Sequence, residues 1–488
     1  MRKFRIIFLG LVIVTLIGVC YIGSGLFTAR DNVQIQENVI YGDKSIVEGV
    51  TIESDITYEN RIFWDTTYCV GQMPQCKTDY QFSGSPIYTS REYIHGLYAY
   101  IDSKIILNEV KDAIDNIENV GKTQGLELSE LQKQYQNLFM DLENRKYAST
   151  FVYLKDYMEY YQFKISLYFP KKVHFSLSKE QLKETLGQTN LSPKLREQLE
   201  HYEVVYEAFH KFLKIPVLSE QMYEVHIGKI VGNKSGTSGL NGVEDKDAFD
   251  MFLSSVYTNG TCYFSFDNRT THGNIVDTSL IHGGYGIYAF SYNTETQRVD
   301  TQSFQMVYPL EVTESVVHMV VNEKDNSLLL FTEDEEHCYL TVLDIDSMEM
   351  RQKFAYASYN SEDVTRCYWI YDDFLVAQYA WEEAALISFD KEGTYTYEFS
   401  IDIAEEGKPQ PTESFNGGYA FDWNGTKLLM CGELMDTFDY NSLCGTFLTV
   451  YDKTGMIYYG TYENSLDTGI SDEYGFLCNL KELEVNWE

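Results

Sequence analysis

The sequence predicts a mainly β protein, β-propeller-like with about seven blades, carrying α-helical insertions and preceded by one N-terminal transmembrane helix. Three observations predict it. A strand–turn–strand unit recurs through the C-terminal half, helical periodicity is confined to blocks at about 103–146 and 178–214, and a long uncharged run follows Arg2, Lys3 and Arg5.

From Ile6 to Phe27 the chain reads IIFLGLVIVTLIGVCYIGSGLF, twenty-two residues without a charge. As a helix this is long enough to cross a hydrocarbon core of about 30 Å. The basic flank places residues 1–5 in the cytoplasm and everything beyond Arg30 outside. Gly23-Ser-Gly25 offers small residues for a signal-peptide cleavage site, but the run exceeds a usual signal-peptide core, so a retained anchor over 6–27 is the expectation. Cys20, preceded by Val19, fits a lipoprotein site poorly. Residues 28–44 read as a polar juxtamembrane stalk, and 45–488 as one extracytoplasmic domain.

Strand-like runs follow at Gly49–Ser54, Arg61–Tyr68 and Gly96–Ile101, β-branched or aromatic and broken by turn residues. Helical spacing then takes over: Ile106, Val110, Ile114 and Ile117 share one face, and Leu128, Leu131, Tyr135, Leu138 and Leu142 another. Strands return at Thr150–Leu154 and Phe163–Phe169. Ser178-x-x-Gln181 is a capping box, and Ser192-Pro193 sets a cap residue before a first-turn proline. The helix after it carries Leu195, Leu199, Tyr202, Tyr206, Phe209 and Leu213 at helical steps and stops at Ile215-Pro216. Beyond it the pattern is almost wholly β.

The repeat consists of Leu340–Asp344, Leu386–Asp390 and Leu448–Asp452, each an apolar strand ending on Asp. Each follows a hairpin arm, Leu328–Phe331, Phe374–Val376 and Lys427–Met430. The terminal aspartates lie 46 and 62 residues apart, the longer interval holding the insert Glu433–Tyr440. That is near the roughly 40 to 50 residues of a four-stranded propeller blade. Ala385–Phe399 is then the outer hairpin of one blade, Asn293 in Tyr288–Asn293 opens an earlier blade, and Tyr474–Cys478 with Leu483–Val485 completes the ring beside the N-terminal strands. A pair of β-sandwiches is the competing architecture.

The repeat over about 270–465 resembles WD40- and quinoprotein-type blades, and the layout resembles that of membrane-anchored extracytoplasmic proteins of Gram-positive bacteria. The resemblance implies a scaffold and no particular chemistry. The Trp-Asp dipeptide of WD40 blades is absent from the blade ends.

Composition narrows the function classes. Asp plus Glu is 73 against 38 Lys plus Arg, a formal charge of -35, which repels nucleic acid and anionic lipid. Eight of the nine cysteines lie beyond the apolar run; Cys69 and Cys76 flank a short loop that a disulfide could close, and no CxxC occurs. Ser176-x-x-Lys179, Ser358-Tyr-Asn360 and Lys453-Thr-Gly455 match the order of penicillin-binding motifs, yet Lys453-Thr-Gly455 is the Asp-Lys-x-Gly turn of the repeat and Ser178 a helix cap. His282-Gly-Gly-Tyr-Gly286 offers a glycine-rich loop of oxyanion type but lacks a nucleophile elbow, so it reads as a turn feeding a strand, like Asn416-Gly-Gly-Tyr-Ala420. The acidic clusters Glu333–Glu336, Asp372-Asp373 and Glu382-Glu383 read as solvated loops, with calcium or glycoside chemistry as alternatives. The sequon Asn259-Gly-Thr261 matters only in a glycosylating host.

No catalytic, cofactor-binding or metal-ligating residue is therefore designated, and no cofactor is expected. The expected function is a non-catalytic binding or sensing module, tethered in the cell membrane through 6–27, with a protein partner docking on the helical insertion and no nucleic-acid partner. The alternative is a cell-envelope or carbohydrate-active enzyme using the propeller's central face. A purely apolar or salt-paired channel favours the first; a cluster of inward-facing carboxylates and aromatics on that face favours the second.

Overall fold

The computed structural model describes residues 12–18, 20, 35–58, 62–71, 77–83, 96–101, 147–168, 176–177, 179–229, 236–242, 249, 251, 253–359, 367–412, 414–415, 418–435, 442–464 and 478–487. The fold is mainly β. The chain divides into two compact units: one combines residues 1–91 with 360–488, the other is 92–359. Among the described residues the strands form seven sheets, every pairing antiparallel.

The first unit holds three sheets. Tyr368–Ile370, Phe374–Gln378, Glu383–Phe389 and Tyr395–Asp402 form a meander in chain order. Tyr419–Trp423, Leu428–Met435, Ser442–Asp452 and Gly455–Asn464 form a second, extended at its outer edge by Ile35–Gly42. In the third, the C-terminal strand Cys478–Asn486 pairs with Thr51–Tyr58, which continues into Ile62–Cys69 and Lys77–Phe82. The expected closure of the N-terminal strands by the C-terminus is thus present as a ladder. Residues 35–42, expected to belong to a polar stalk, are a strand; as an edge strand with most side chains exposed they carry no clear alternation.

The second unit holds four sheets. Gly96–Ile101 pairs with Phe163–Tyr168 and then Ser176–Leu177; Tyr147–Tyr153 pairs with Met222–Lys229 and then Gly236–Gly242. Leu253–Thr258, Thr261–Phe266 and Gly286–Asn293 form the third, with Arg298–Val299 and Gln305–Pro309 both on Gly286–Asn293. Ser315–Asn322, Ser327–Glu333, His337–Asp344 and Met350–Ser358 form the fourth. Serines stitch the first strands of neighbouring sheets: Ser255 Oγ accepts from Leu97 N at 2.9 Å and donates to Leu97 O at 2.6 Å, and Ser254 Oγ accepts from Met319 N at 2.8 Å. Gly96 permits that approach, because a Cβ there would lie 2.4 Å from Ser255 Oγ.

The repeat holds as paired strands. Leu329 faces Val342, Leu375 faces Ile387 and Leu429 faces Val450, each arm antiparallel to its Asp-ending strand. The arms are apolar without alternation because both faces are covered: Phe374–Gln378 is buried throughout, whereas the fourth strand Met350–Ser358 is mostly exposed.

Among the described residues of the second unit there are two α-helices, α1 (Lys179–Leu186) and α2 (Pro193–Phe212). Ser192 caps α2, its Oγ accepting from Leu195 N at 3.3 Å, with Pro193 in the first turn. The apolar face of α2 (Leu199, Tyr202, Val205, Tyr206, Phe209) is buried in the unit's core. Ser178 and the predicted helices at 103–146 lie outside the described residues. Of the apolar run 6–27, residues 12–18 and 20 are described and are helical. Among the described residues no helix is long and apolar enough to cross a membrane, so a spanning helix over 6–27 finds no support there.

Candidate functional site

The recurring Asp or Asn at the end of each third strand is a turn device. Asn293, Asp344, Asp390 and Asp452 each use Oδ1 to accept the backbone N–H two residues on, from Glu295, Asp346, Glu392 and Thr454, at 3.0, 3.1, 3.0 and 2.7 Å. Asp344 also pairs with Arg351, and that guanidinium with the Ser347 N–H holds its carboxyl down at about 2. Lys453-Thr-Gly455 is accounted for in the same way, as the turn into Gly455–Asn464. Part of the acidic excess is therefore committed to turns.

A polar cluster remains in the second unit, where the loop after Thr261–Phe266 meets the entry to Ser315–Asn322. Glu314 is buried there, 7% exposed. One carboxylate oxygen accepts from Thr332 Oγ1 at 2.5 Å and the other from Lys353 Nζ at 2.6 Å. The Lys353 ammonium also sits 5.0 Å from the Tyr339 ring centroid. Beside it Asp267 accepts from Ser315 Oγ and from Arg269 N. The Arg269 guanidinium donates to Thr313 O at 2.7 Å and Asn268 Nδ2 to Val312 O at 2.8 Å, clamping the linker that carries Glu314. Tyr285 donates to Phe266 O and accepts from Val316 N; burial, with the Asp267 charge nearby, pushes its hydroxyl well above the ordinary tyrosine range. Glu314 has both oxygens engaged.

Nothing in the sequence singled out Asp267, Glu314 or Lys353. Glu314 immediately precedes the edge strand Ser315–Asn322 and Lys353 lies in the opposite edge strand, Met350–Ser358, so only the tertiary structure brings them together.

The motif candidates are not gathered into a site. Ser176 lies in a two-residue strand opposite Ser166, and Lys179 pairs with Glu207 at 2.9 Å. Ser358 ends a strand opposite His337; Asn360 and Asn416-Gly417 lie outside the described residues. His282–Gly286 is a turn: Gly284 N donates to Ile281 O, and Gly283 and Gly284 take φ of +93° and +87°. In the Glu333–Glu336 cluster, Asp334 accepts from the N–H groups of Glu336 and His337 and from the Tyr339 hydroxyl. These outweigh its desolvation and hold it below the ordinary carboxylate range. Asn259 and Gly260 form the hairpin turn before Thr261, both at positive φ. Cys262 and Cys431 are buried thiols; burial pushes Cys431 up to about 12. Cys76 lies outside the described residues. Among the described residues no group of three or more His, Cys, Asp or Glu is placed to hold a metal ion.

No protein-family model matches the chain, and no curated protein does. Among solved structures, a protein from Lactobacillus plantarum is similar at a TM-score of 0.25 and 7% identity, over 50% of this chain and 65% of that one. A GH43 β-1,3-galactosidase with galactodeoxynojirimycin gives 0.22 and 11%, over 43% of this chain and 74% of that one. A family 117 glycoside hydrolase produced by the marine bacterium Zobellia galactanivorans gives 0.21 and 9%, over 54% and 75%. This chain thus spans 65% of the length of the Lactobacillus plantarum protein, and at these scores none of the three likenesses carries an argument about activity.

Proposed function

We propose that the protein is a non-catalytic binding or sensing module, built as a β-propeller of about seven blades and tethered outside the cell membrane by residues 6–27. The observation that carries the reading is the pairing of Glu314 with Lys353 and Thr332: the buried carboxylate of the polar cluster is neutralised in place. The propeller reading is supported by seven antiparallel sheets among the described residues, by the serine-stitched first strands, and by a C-terminal strand that pairs with an N-terminal sheet. The anchor rests on the uncharged run behind Arg2, Lys3 and Arg5. With α2 engaged in the core, segment 103–146 is the part of the helical insertion assigned to a protein partner.

The test uses the full-length protein purified in detergent and assayed against a panel of aryl glycosides and cell-wall glycan. No turnover is expected. Turnover that disappears in both Asp267→Asn and Glu314→Gln would replace this reading by a carbohydrate-active enzyme. Protease added to intact, wall-stripped cells should digest the chain beyond residue 30; full protection would remove the extracytoplasmic placement.

A further inference from the structure

Helix α2 carries two histidines that do the same unusual thing. His210 Nε2 accepts the backbone N–H of Phe163, the first residue of strand Phe163–Tyr168, at 2.9 Å. His201 Nε2 accepts the backbone N–H of Val299, in the short strand Arg298–Val299, at 3.1 Å. Nine residues is about two and a half helical turns, so the two rings leave α2 on opposite sides and hold it to two separate β segments. The His210 tautomer follows from its partners: Nδ1 lies 2.8 Å from Tyr206 O and must donate, leaving Nε2 as acceptor. The ring is also held among aromatics, 4.0 Å from Tyr206 and 5.6 Å from Phe209 between centroids.

An imidazole ring nitrogen accepts a hydrogen bond only while it is unprotonated; in the imidazolium both nitrogens are donors. We propose that α2 is a proton-released clamp, in which uptake of one solvent proton by each of His201 and His210 turns two acceptors into donors and frees the strand ends at Val299 and Phe163. The apolar face of α2 stays in the core, so the outcome is loosening at its two pins rather than departure of the helix.

Among the described residues charged groups lie beside both rings. Around His210, Glu207 on the same helix pairs with Lys179 of α1 at 2.9 Å, and Lys164 next to Phe163 lies over the Tyr100 ring at 5.5 Å. Around His201, Glu197 one turn earlier pairs with Arg298, which precedes Val299, and Asp300 follows it. Burial holds His210 below the ordinary histidine range, against a smaller opposing pull from the Tyr206 carbonyl and Glu207. A histidine depressed on folding contributes stability that is present above its ordinary pKa and lost as the pH falls below it, so the clamp closes at neutral pH and opens in acid.

Amide hydrogen exchange of the full chain at about pH 7.5 and about pH 5, corrected for the intrinsic rate at each pH, reads the clamp directly. The protection of Phe163 and Val299 should fall by about tenfold or more on acidification, while amides elsewhere in the same strands change less. His201→Gln with His210→Gln keeps an acceptor oxygen that does not titrate, and should abolish the pH dependence. Unchanged protection in the parent protein, or the same fall in the double variant, overturns the proposal. Should the variant fail to fold, ring 15N shifts of the parent protein decide: Nε2 must be the unprotonated nitrogen of both rings at about pH 7.5. An Nε2–H tautomer at either ring overturns the clamp.

Discussion

Ile52 stands directly opposite Val485 in an antiparallel ladder, both side chains buried, so a strand near the beginning of the chain is completed by its last strand. The same end is fastened by Trp487 N, which donates to Asp422 Oδ2 at 2.6 Å. Val485→Ala is expected to cost the first unit about 2 kcal/mol through the lost methyl groups and the cavity they leave. Removing residues 478–488 should cost far more, because it also strips the ladder from Thr51–Tyr58. Urea unfolding followed by tryptophan fluorescence checks both, and a truncated chain with the parent midpoint would contradict the pairing.

Lys353 is the counter-charge of a buried carboxylate. Lys353→Met should destabilise the second unit by about 2 kcal/mol, less than for a wholly buried pair because the lysine is partly exposed. Glu314→Gln combined with Lys353→Met should recover part of the loss, since the amide still accepts from Thr332 and leaves no charge behind. A thermodynamic cycle of the two singles and the double measures this; strict additivity would show that the ion pair contributes nothing.

Gly455 is required on two counts. Its φ is +103°, and a Cβ would fall 2.3 Å from Glu405 Oε2, which itself accepts from Met456 N at 3.0 Å. Gly425, at φ +88°, has nothing within 4 Å of a Cβ. Gly425→Ala should therefore cost about 1 kcal/mol of backbone strain, and Gly455→Ala clearly more through the displaced Glu405. Equal unfolding midpoints for the two variants would show that the Glu405 contact is without weight.

The Asp344 carboxyl is held at about 2 by Arg351 and the Ser347 groups. Its folded pKa lies below the unfolded value, so its contribution is present above the ordinary carboxylate range and lost as the pH falls toward 2. Arg351→Gln should raise the titration midpoint of this carboxyl, read from its side-chain 13C shift. A midpoint that does not move would assign the depression to the turn alone.

Much of the β organisation was legible in the sequence, and for a physical reason. Runs such as Leu328–Phe331 and Phe374–Val376 are apolar on both faces because they lie inside their sheets, and Asp at the strand end marks a turn whose N–H groups need an acceptor. Ser192-Pro193 declared the start of α2 by capping chemistry, which is local. Such signals survive in one dimension because the partner lies within a few residues. What only the tertiary structure decided depends on residues far apart in the chain. Ile35–Gly42 looked like a stalk because an edge strand bonded on one side needs no alternation. Glu314 met Lys353, and His210 met Phe163, through side-chain reach across the sheet and helix placement, which leave no spacing to read. The division into two units likewise follows from which strands share a core, a property of packing rather than of any stretch of sequence.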